Sequence, residues 1–555
     1  MQYLALATDY DGTLAWDGIV SEKTLRALED LRQSGRKLIL VTGRELADLQ
    51  RVFPRMDLFD RVVAENGAVV YAPETREKRL LAEAPKPQLV ETLKARGVPA
   101  STGDVIVATW RPHETAVLEA IRDLGLEMHV IFNKSAVMVL PAGVNKKSGL
   151  HEALKDLGLS EHNVIGIGDA ENDHAFLRAC ELSVAVANAL DSVKDTADFT
   201  TRGDHGDGVV ELIAMVLQGN PPPNRGRIPI GRHGEVEVSI PSFGSSVLVA
   251  GASGSGKSTF IAGFLQTLIE KRYQVCLIDP EGDYESFPGT ITVGDEKHAA
   301  AVEQILQTLE KPAAQVVVNL VGVPVADRPG FFAELLPRLQ QLRLRTGRPH
   351  WIGVDEAHHM LPATWAPGSA EITGALNNLI QITVHPDSVS PAALKSANVI
   401  VGIGPSAHQV IEGLGQPIGP VNLEPGEALV WFRDSGKMHR IRYVESTAER
   451  KRHKRKYARG DLGDERSFYF RGRESKLNLR ARNLLAFMEL ANGVDDDTWV
   501  HHLRKGDYSK WFRDDIKDPN LADEAALVER DRSLDARASR EKIREAIEHR
   551  YTAPV

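Results

Sequence analysis

The chain has 555 residues, of which 42% are hydrophobic and 26% are charged. These proportions are typical of an ordinary globular protein, and the length predicts roughly three or four domains. The net charge of −9 argues against a nucleic-acid-binding surface over the whole protein, although a local basic patch remains compatible with it. No run approaches the ~18 apolar residues that a membrane span needs.

The amino terminus and the cysteines indicate the compartment. An apolar run begins at once and lacks the basic segment of a signal peptide. Cys180 and Cys276 both lie in apolar contexts, which predicts buried free thiols in a reducing environment. We therefore expect a cytoplasmic protein with no membrane association.

Residues 1–218 alternate between strand and helix patterns. Strands are predicted over 4–8, 37–42 and 163–168, and a helix over 23–34. This rhythm predicts a parallel sheet flanked by helices. Ligands of such sheets bind beyond the carboxyl ends of the strands.

Polar residues that suit phosphoryl transfer follow these strands. Asp9 can attack phosphorus and form an aspartyl-phosphate. Asp11 can protonate the leaving oxygen and then deprotonate water. Thr42 offers a hydroxyl, and Lys146 offers a positive charge, to the phosphoryl oxygens.

A cluster of carboxylates accompanies them. The segment Gly-Asp-Ala-Glu-Asn-Asp at 168–173 supplies Asp169 and Asp173, and oxygen ligands of this kind suit Mg2+. The candidate metal ligands of this domain are Asp9, Asp11, Asp169 and Asp173. A bound cation would also allow close carboxylates to stay ionised together.

These motifs, in this order, resemble the haloacid dehalogenase superfamily and its Cof-like (IIB) phosphatase branch. Further matching segments are Glu-Asn-Gly-Ala at 65–68, Gly-Val-Asn-Lys at 143–146, Val-Ala-Asn-Ala at 186–189 and Gly-Asp-Gly at 206–208. The resemblance implies a Rossmann-like core with a small α/β cap at about 73–142. It also implies a sugar phosphate or a similar small phosphomonoester as substrate.

A proline-rich spacer at 219–227 precedes a second α/β region at 228–445. An apolar strand at 246–250 leads into Gly-Ala-Ser-Gly-Ser-Gly-Lys-Ser at 251–258, and a helix is predicted over 259–271. Such a loop wraps nucleotide phosphates with its backbone N–H groups. The candidate ATP-binding residues of the loop and the following helix are Gly251, Gly254, Ser255, Gly256, Lys257, Ser258 and Thr259.

A second apolar strand ends in Asp355 and Glu356. Asp355 and the hydroxyl of Ser258 are candidate Mg2+ ligands. Glu356 can polarise an attacking water, which favours an ATP hydrolase over a small-molecule kinase.

This region resembles the HerA/FtsK-type P-loop ATPases, with a RecA-like core, through these motifs and through Asp-Pro-Glu-Gly-Asp-Tyr at 279–284. His385 stands where that family usually has Gln, and it is a candidate contact to the γ-phosphate. The resemblance implies a homo-oligomer, possibly a hexamer, with an arginine finger supplied between subunits. Arg343, Arg345 and Arg348 are candidate fingers, and helix-end capping is the alternative explanation for them.

The remainder divides into a basic linker at 446–475 and an α-helical region at 476–555. Seven Lys or Arg residues fall within 450–459, which is typical of a solvated linker but also suits contacts to a phosphate backbone. His501 and His502 are adjacent, and they lack the i,i+4 spacing of common helical metal sites. A structural role for this pair is favoured.

The fold class predicted from the sequence is therefore a multidomain α/β protein with a C-terminal helical region. The function predicted is a bifunctional Mg2+-dependent enzyme in which a phosphomonoester hydrolase is coupled to an ATP-hydrolysing motor or gating domain. Three alternatives stay open. They are a nucleic-acid-processing phosphatase and ATPase, a DNA translocase, and a nucleotide-dependent ring scaffold or sensor.

Overall fold

The structure is a computed structural model that describes residues 3–365, 377–444, 446, 462, 466–472, 476–516 and 518–551. The chain forms two compact units. The first is drawn from Met1–Pro280 and Gly289–Thr447, and the second from Glu281–Pro288 and Ala448–Val555. The basic run at 450–459 lies outside the described residues. Among the helices described, none is both long and apolar enough to cross a bilayer.

The amino-terminal region alternates strands and helices. Its strands are β1 Ala5–Thr8, β2 Lys37–Val41, β3 Arg61–Ala64, β4 Val69–Ala72, β5 Glu77–Leu80, β6 Ser101–Thr102, β7 Val107–Trp110, β8 Met128–Asn133, β9 Ala136–Pro141, β10 Val164–Gly168, β11 Leu182–Ala185 and β12 Phe199–Thr200. Its helices are α1 Glu22–Gln33, α2 Leu46–Val52, α3 Pro87–Ala95, α4 Glu114–Asp123, α5 Lys146–Asp156, α6 His174–Leu177, α7 Asp191–Thr196 and α8 His205–Leu217.

The main sheet of this region has the order β12-β11-β10-β1-β2-β3-β4-β5. Strand β1 lies parallel to both β2 and β10. All four residues of β1 and all five of β10 are buried, because helices cover both faces of a parallel sheet. The carboxyl ends of β1 and β10 therefore meet at one edge of the sheet.

A separate sheet of order β6-β7-β9-β8 forms the cap with helices α3 and α4. Its small core includes Leu89, Leu93, Val117 and Val139. The cap predicted at 73–142 begins later than expected, since β5 pairs with β4 and extends the main sheet instead.

A second large sheet follows the spacer. Its strands are β13 Arg227–His233, β14 Val236–Pro241, β15 Val247–Ala250, β16 Val275–Asp279, β17 Thr290–Val293, β18 Gln315–Asn319, β19 Trp351–Val354, β20 Leu379–Thr383, β21 Val399–Ile403, β22 Glu427–Phe432 and β23 Met438–Tyr443. The helices around it are α9 Lys257–Glu270, α10 Val302–Leu309, α11 Arg328–Thr346, α12 Ala357–Met360, α13 Pro391–Ser396 and α14 Ala407–Gly413.

The order of this sheet is β14-β13-β23-β22-β21-β15-β20-β19-β16-β18-β17. Strand β15, which precedes the glycine-rich loop, lies between β21 and β20, and all three are parallel. Strand β19, which precedes Asp355, is the next strand beyond β20. The loop and the acidic pair therefore share the carboxyl edge of the sheet, with the end of β20 between them.

The amino-terminal edges of the two sheets are joined by a buried polar network around Glu181, just before β11. One carboxylate oxygen accepts from Asn224 in the spacer, at 2.7 Å, and from the Ser242 hydroxyl. The other bonds His162 Nδ1 at 2.6 Å and the Tyr273 hydroxyl at 3.0 Å. The carboxylate is thereby satisfied on both oxygens, as a buried charge requires.

Arg348 makes a second link across the same junction. Its side chain is fully buried, and its guanidinium donates to the carbonyl oxygens of Gly158 at 2.9 Å and Leu309 at 3.1 Å. Gly158 precedes β10, whereas Leu309 ends α10. The guanidinium thus ties the two α/β regions together.

The second unit contains a short hairpin and a helical bundle. Its elements are β24 Phe468–Phe470, β25 Leu479–Ala481, α15 Leu484–Gly493, α16 Asp496–Lys505, α17 Asp507–Asp514, α18 Pro519–Arg530 and α19 Ala536–Tyr551. His502 is buried, bonds Asp507 at 2.7 Å and accepts from the Arg471 backbone N–H at 3.1 Å. Its contacts are those of a structural residue.

Candidate active sites

Three carboxylates meet at the carboxyl edge of the first sheet. Asp9 follows β1, Asp169 follows β10, and Asp173 lies at the end of the short turn of helix after Asp169. One oxygen from each lies within 4.8 Å of the other two. All three are buried, and a set of hard oxygen donors at this spacing fits a divalent cation such as Mg2+.

A lysine lies between two of these carboxylates. Lys146 is the first residue of α5, which Asn145 and Ser148 cap reciprocally. Its Nζ lies 2.5 Å from Asp9 Oδ1 and 2.6 Å from Asp173 Oδ1. The helix start therefore fixes where this ammonium enters the site. The neighbouring Lys147 is exposed.

Burial and charge compete in the titration of these groups. Burial raises the pKa of Asp9 well above its usual range; Lys146 opposes the change, and Asp173 and Asp169 add to it. Burial alone would lower the pKa of Lys146, but Asp173 and Asp9 outweigh it and raise that pKa. The site is thus strongly acidic and holds one buried positive charge.

The loop after Asp9 packs tightly on Asp169. Gly12 has a φ of 85°, and a Cβ there would lie 2.4 Å from Asp169 Oδ2. Only glycine fits both the left-handed backbone and this close approach. The next residue, Thr13, donates its hydroxyl to Asp169 Oδ1 at 3.0 Å.

Asp11 takes a different position from the three metal candidates. Arg44 donates to both of its carboxylate oxygens at 2.7 Å. Asp11 was expected among the Mg2+ ligands as well as in acid–base work, but its carboxylate lies outside the three-carboxylate group, because Arg44 holds it. Thr42 is buried and accepts from the Arg44 backbone N–H at 3.1 Å.

The cap reaches the site through one side chain. Lys134 lies in the turn between β8 and β9, and its Nζ donates to Asp169 Oδ2 at 2.7 Å. Glu65 holds the cap from the core side, accepting from the backbone N–H groups of Asp104, Val105 and Ile106 at 2.8–3.0 Å. The loop between β6 and β7 is thereby attached to the core.

The second site is built on the loop between β15 and α9. Gly256 has a φ of 108°, and a Cβ there would lie 2.6 Å from the Tyr443 hydroxyl. Lys257 Nζ donates to the loop carbonyls of Gly251 at 2.9 Å and Ala252 at 3.0 Å. Ser255 Oγ is buried without a hydrogen-bond partner in the described part of the chain. Such a loop fits a phosphate group, which accepts from hydroxyl, ammonium and backbone N–H donors.

Glu356 has an unusual backbone in the second site. Its φ is 42°, and a left-handed non-glycine residue at a strand end is typical of functional positions. His358 Nδ1 lies 3.5 Å from Glu356 Oε2 and 3.1 Å from Thr383 Oγ1. Thr383 ends β20 and accepts from the His385 backbone N–H at 3.0 Å, so this hydroxyl connects the acidic pair to the predicted sensor.

The three candidate arginine fingers differ in exposure. Arg348 is fully buried in the junction, so its side chain is not available to a neighbouring subunit, and this expectation is corrected. Arg343 donates to the carbonyls of Pro349 and Asn377 at 2.8 and 3.0 Å. Arg345 is 66% exposed and pairs with Glu310.

Sequence reasoning missed three residues that the structure brings into these sites. They are Arg44, Lys134 and His358. The sequence could have indicated Arg44 as a site residue, because it follows Thr42 by two residues at a strand end. Nothing in the local sequence indicated Lys134, since its contact with Asp169 depends on how the cap folds back on the core.

Comparison with known proteins agrees with this architecture. Residues 6–109 and 111–213 match the model of the haloacid dehalogenase-like hydrolases, and residues 226–308 match the model of the central domain of helicase HerA. A phosphoglycolate phosphatase of Methanothermobacter thermautotrophicus is 30% identical over 222 residues, which cover 38% of this chain and 98% of that protein.

Two further proteins are similar to this chain over a comparable share of its length. A 5-amino-6-(5-phospho-D-ribitylamino)uracil phosphatase of Bacillus subtilis is 26% identical over 38% of this chain and 93% of its own length. A haloacid dehalogenase-like hydrolase from Bacteroides thetaiotaomicron has a solved structure that aligns with a TM-score of 0.35 and 20% identity, over 39% of this chain and all of that one. Through its amino-terminal region, the chain belongs to the haloacid dehalogenase-like hydrolase family, and it is a hydrolase that also carries a HerA-like domain.

Proposed function

We propose that the amino-terminal region hydrolyses a small phosphomonoester with Asp9 as nucleophile. The observation that supports this most is the buried group of Asp9, Asp169 and Asp173 with Lys146 between two of its members. Asp11 follows Asp9 by two residues in the chain and is paired with Arg44. A nucleophile, a cation site and a proton-transfer group are therefore available at one sheet edge.

In the first step, an Asp9 oxygen attacks phosphorus and the bond to the substrate alcohol breaks. Before this step Asp11 turns from Arg44 and takes a proton from solvent, and it gives that proton to the departing oxygen. In the second step, Asp11 takes a proton from water, the water oxygen attacks phosphorus, and the bond to Asp9 breaks. Phosphate leaves, and both carboxylates return to their starting states.

Residues Asp9, Asp169 and Asp173 would hold Mg2+, which when bound supplies positive charge to the phosphoryl oxygens. Lys146 contributes a second positive charge from its fixed place at the start of α5. Thr42 and the backbone after Asp9 supply hydrogen-bond donors to the same oxygens. The cap excludes water while the phosphoryl group is transferred.

The relatives indicate the size of the substrate. They act on phosphoglycolate and on a phosphorylated ribitylaminouracil. A small phosphomonoester of this kind is our proposal for the present chain, since its cap is a compact sheet with two helices.

We propose that the HerA-like domain binds and hydrolyses ATP and that this activity is coupled to the phosphatase. Lys257 and the loop glycines would hold the phosphates, Ser258 and Asp355 would hold Mg2+, and Glu356 would polarise water. Assembly of several copies would bring Arg345, the exposed finger candidate, to a neighbour's nucleotide.

The test is phosphate release from a panel of phosphomonoesters with Mg2+, with and without ATP. The variants are Asp9→Asn and Lys257→Ala. Their controls are Asp191→Asn, at a carboxylate that is 97% exposed, and Lys297→Ala, at an exposed lysine. We expect Asp9→Asn to abolish monoester hydrolysis and Lys257→Ala to remove the effect of ATP on its rate.

Other outcomes separate the two halves of the proposal. If Asp9→Asn keeps full activity, the phosphatase assignment fails. If ATP has no effect on the wild-type rate, the coupling fails and the phosphatase assignment stands.

A second candidate is a nucleic-acid-stimulated ATPase, which the match to the HerA central domain favours. It predicts that ATP hydrolysis rises when DNA is added and that this stimulation falls steeply with salt, as contacts to a phosphate backbone do. Absence of stimulation at low salt would remove this candidate.

A further inference from the structure

The tip of the cap hairpin lies against the loop that bears the carboxylates. Asn133 pairs with Ala136, so Lys134 and Ser135 form a two-residue turn. Lys134 has a φ of 52°, and its backbone N–H donates to Glu171 Oε2 at 3.4 Å. The backbone of the turn therefore contacts the loop from Asp169 to Asp173.

The side chain of Lys134 extends from this turn to Asp169. The side chain is 52% exposed, whereas Asp169 is fully buried, and the two join at 2.7 Å. The ammonium thus lies at the boundary between solvent and the buried carboxylates. A substrate held between cap and core would meet it there.

The balance of charges at the site indicates when Lys134 leaves Asp169. When all three are ionised, Asp9, Asp169 and Asp173 carry three negative charges, and buried Lys146 offsets one. The remaining two match a single divalent cation. With such a cation on Asp169, the ammonium of Lys134 loses its ion pair with Asp169 and is repelled from the cation.

We propose that Lys134 determines substrate specificity by binding a carboxylate on the substrate, and that a divalent cation releases it from Asp169 for this role. The inference rests on the proposed phosphatase function of this site. The preferred substrate is then a small phosphomonoester with a carboxylate close to the ester oxygen. Lys134 binds that carboxylate from the cap, while Lys146 contacts the phosphoryl group from the core.

The first test is the binding of Mg2+ alone, measured by titration calorimetry. The variants are Lys134→Met and a matched control in the same cap, Lys94→Met, at an exposed lysine of α3. The ion pair between Lys134 and Asp169 is partly exposed and therefore competes only weakly with Mg2+ for Asp169. We expect Lys134→Met to bind Mg2+ about two- to fivefold tighter than wild type. Unchanged or weaker binding by Lys134→Met would overturn the competition with the cation.

The second test compares two esters that differ in one group. Phosphoglycolate carries a carboxylate where 2-hydroxyethyl phosphate carries a hydroxymethyl group. We expect Lys134→Met to lower kcat/KM for phosphoglycolate about tenfold or more, as loss of a charged hydrogen bond implies, and to leave 2-hydroxyethyl phosphate within about twofold. Lys134→Arg should restore part of the loss, because it keeps the charge.

Equal losses on both esters would show that Lys134 has no specificity role. Thermal unfolding of each variant checks that the cap remains folded. If the wild type hydrolyses other phosphomonoesters but not phosphoglycolate, the carboxylate-binding role fails and the proposed phosphatase function stands; if it hydrolyses no phosphomonoester at all, the phosphatase function fails. The calorimetric comparison still decides whether Lys134 competes with the cation on Asp169.

Discussion

Lys146 shows how a single buried charge can organise a site. Its ammonium is fully buried and contacts Asp9 and Asp173 within 2.6 Å. Removing one partner of a buried ion pair leaves the other charges uncompensated, which costs more than the pair itself contributes. The residue therefore has a structural and a chemical role together.

The substitution Lys146→Met tests both roles. We expect monoester hydrolysis to fall at least about 100-fold, and the free energy of unfolding to fall by about 3–5 kcal/mol because two carboxylates lose their buried partner. Mg2+ should recover part of the stability but not the activity. The control is Lys155→Met, at a lysine that is 70% exposed. Urea denaturation measures the stability and phosphate release measures the rate. A Lys146→Met variant equal to wild type in both would contradict this account.

The site residues divide by how local their signals are. Asp9, Asp169 and Asp173 each follow a strand within a few residues, so pattern and strand position were enough to place them together. Lys134 is 35 residues from its partner Asp169, and Arg44 is 33 from Asp11. Such contacts depend on long side chains and on the packing of separate elements, which local sequence does not encode.

At the scale of elements, Glu65 attaches the cap to the core. Its carboxylate is buried and accepts from three consecutive backbone N–H groups of the loop between β6 and β7. A carboxylate can satisfy all three donors with its two oxygens, whereas an amide has only one acceptor oxygen. The contact thus requires the carboxylate of Glu65, and an amide of the same shape does not replace it fully.

We predict that Glu65→Gln loosens the cap. The free energy of unfolding should fall by about 1–3 kcal/mol, since at least one buried donor is left unpaired, and KM should rise because the cap closes less well. Limited proteolysis within the cap, from Pro87 to Pro141, measures the loosening. Glu77→Gln, at an exposed residue of β5, is the control, and cleavage at the same rate in both variants would disprove the attachment.

In the second sheet, the end of β20 lies between the glycine-rich loop and the acidic pair. There, Thr383 contacts His358, which in turn lies beside Glu356. The apolar runs of the sequence predicted where strands lie in this region, and the ends of β15 and α9 fall within two residues of the predicted ends. The order of strands did not follow from those runs, because pairing between distant strands is decided by packing of the whole domain.

We predict that Glu356→Gln separates ATP binding from ATP hydrolysis. The amide keeps the size of the side chain but cannot accept a proton from water, so the rate should fall about 100-fold or more while the Kd for ATP stays within about threefold. Binding of a fluorescent ATP analogue and phosphate release measure the two quantities. Glu235→Gln, at a fully exposed position, should match wild type; a parallel loss of binding would instead indicate a structural role for Glu356.

At the scale of the whole first unit, each site lies at the carboxyl edge of its own sheet, whereas the contacts between the sheets come from residues that precede strands. Asn163 and Gly347, which precede β10 and β19, bond across the junction at 3.3 Å. Strands β10 and β19 then run for five and four residues to Asp169 and Asp355, so each site lies about 15 Å along its own strand from the junction. We propose that coupling between the two sites passes through this junction.

His350 makes this junction sensitive to acid. The residue is buried, and its Nδ1 accepts from the Gln274 backbone N–H at 2.7 Å, which requires an unprotonated nitrogen. Burial lowers the pKa of His350 well below its ordinary value of 6.5, and His162, Arg348 and Arg343 lower it further. The folded protein thus holds His350 neutral at a pH where the unfolded chain would bind a proton.

Stability should consequently fall as the pH drops below about 6.5, because protons then bind the unfolded state in preference. One such histidine contributes about 1.4 kcal/mol of lost free energy of unfolding between pH 7.5 and 5.5. His350→Asn keeps an acceptor near the position of Nδ1 and cannot titrate, so its loss over this interval should be smaller by that amount. The control is His298→Asn, at a histidine that is 80% exposed. Urea denaturation at the two pH values decides the matter: identical losses in wild type and His350→Asn would show that the junction histidine does not set the acid sensitivity of the first unit.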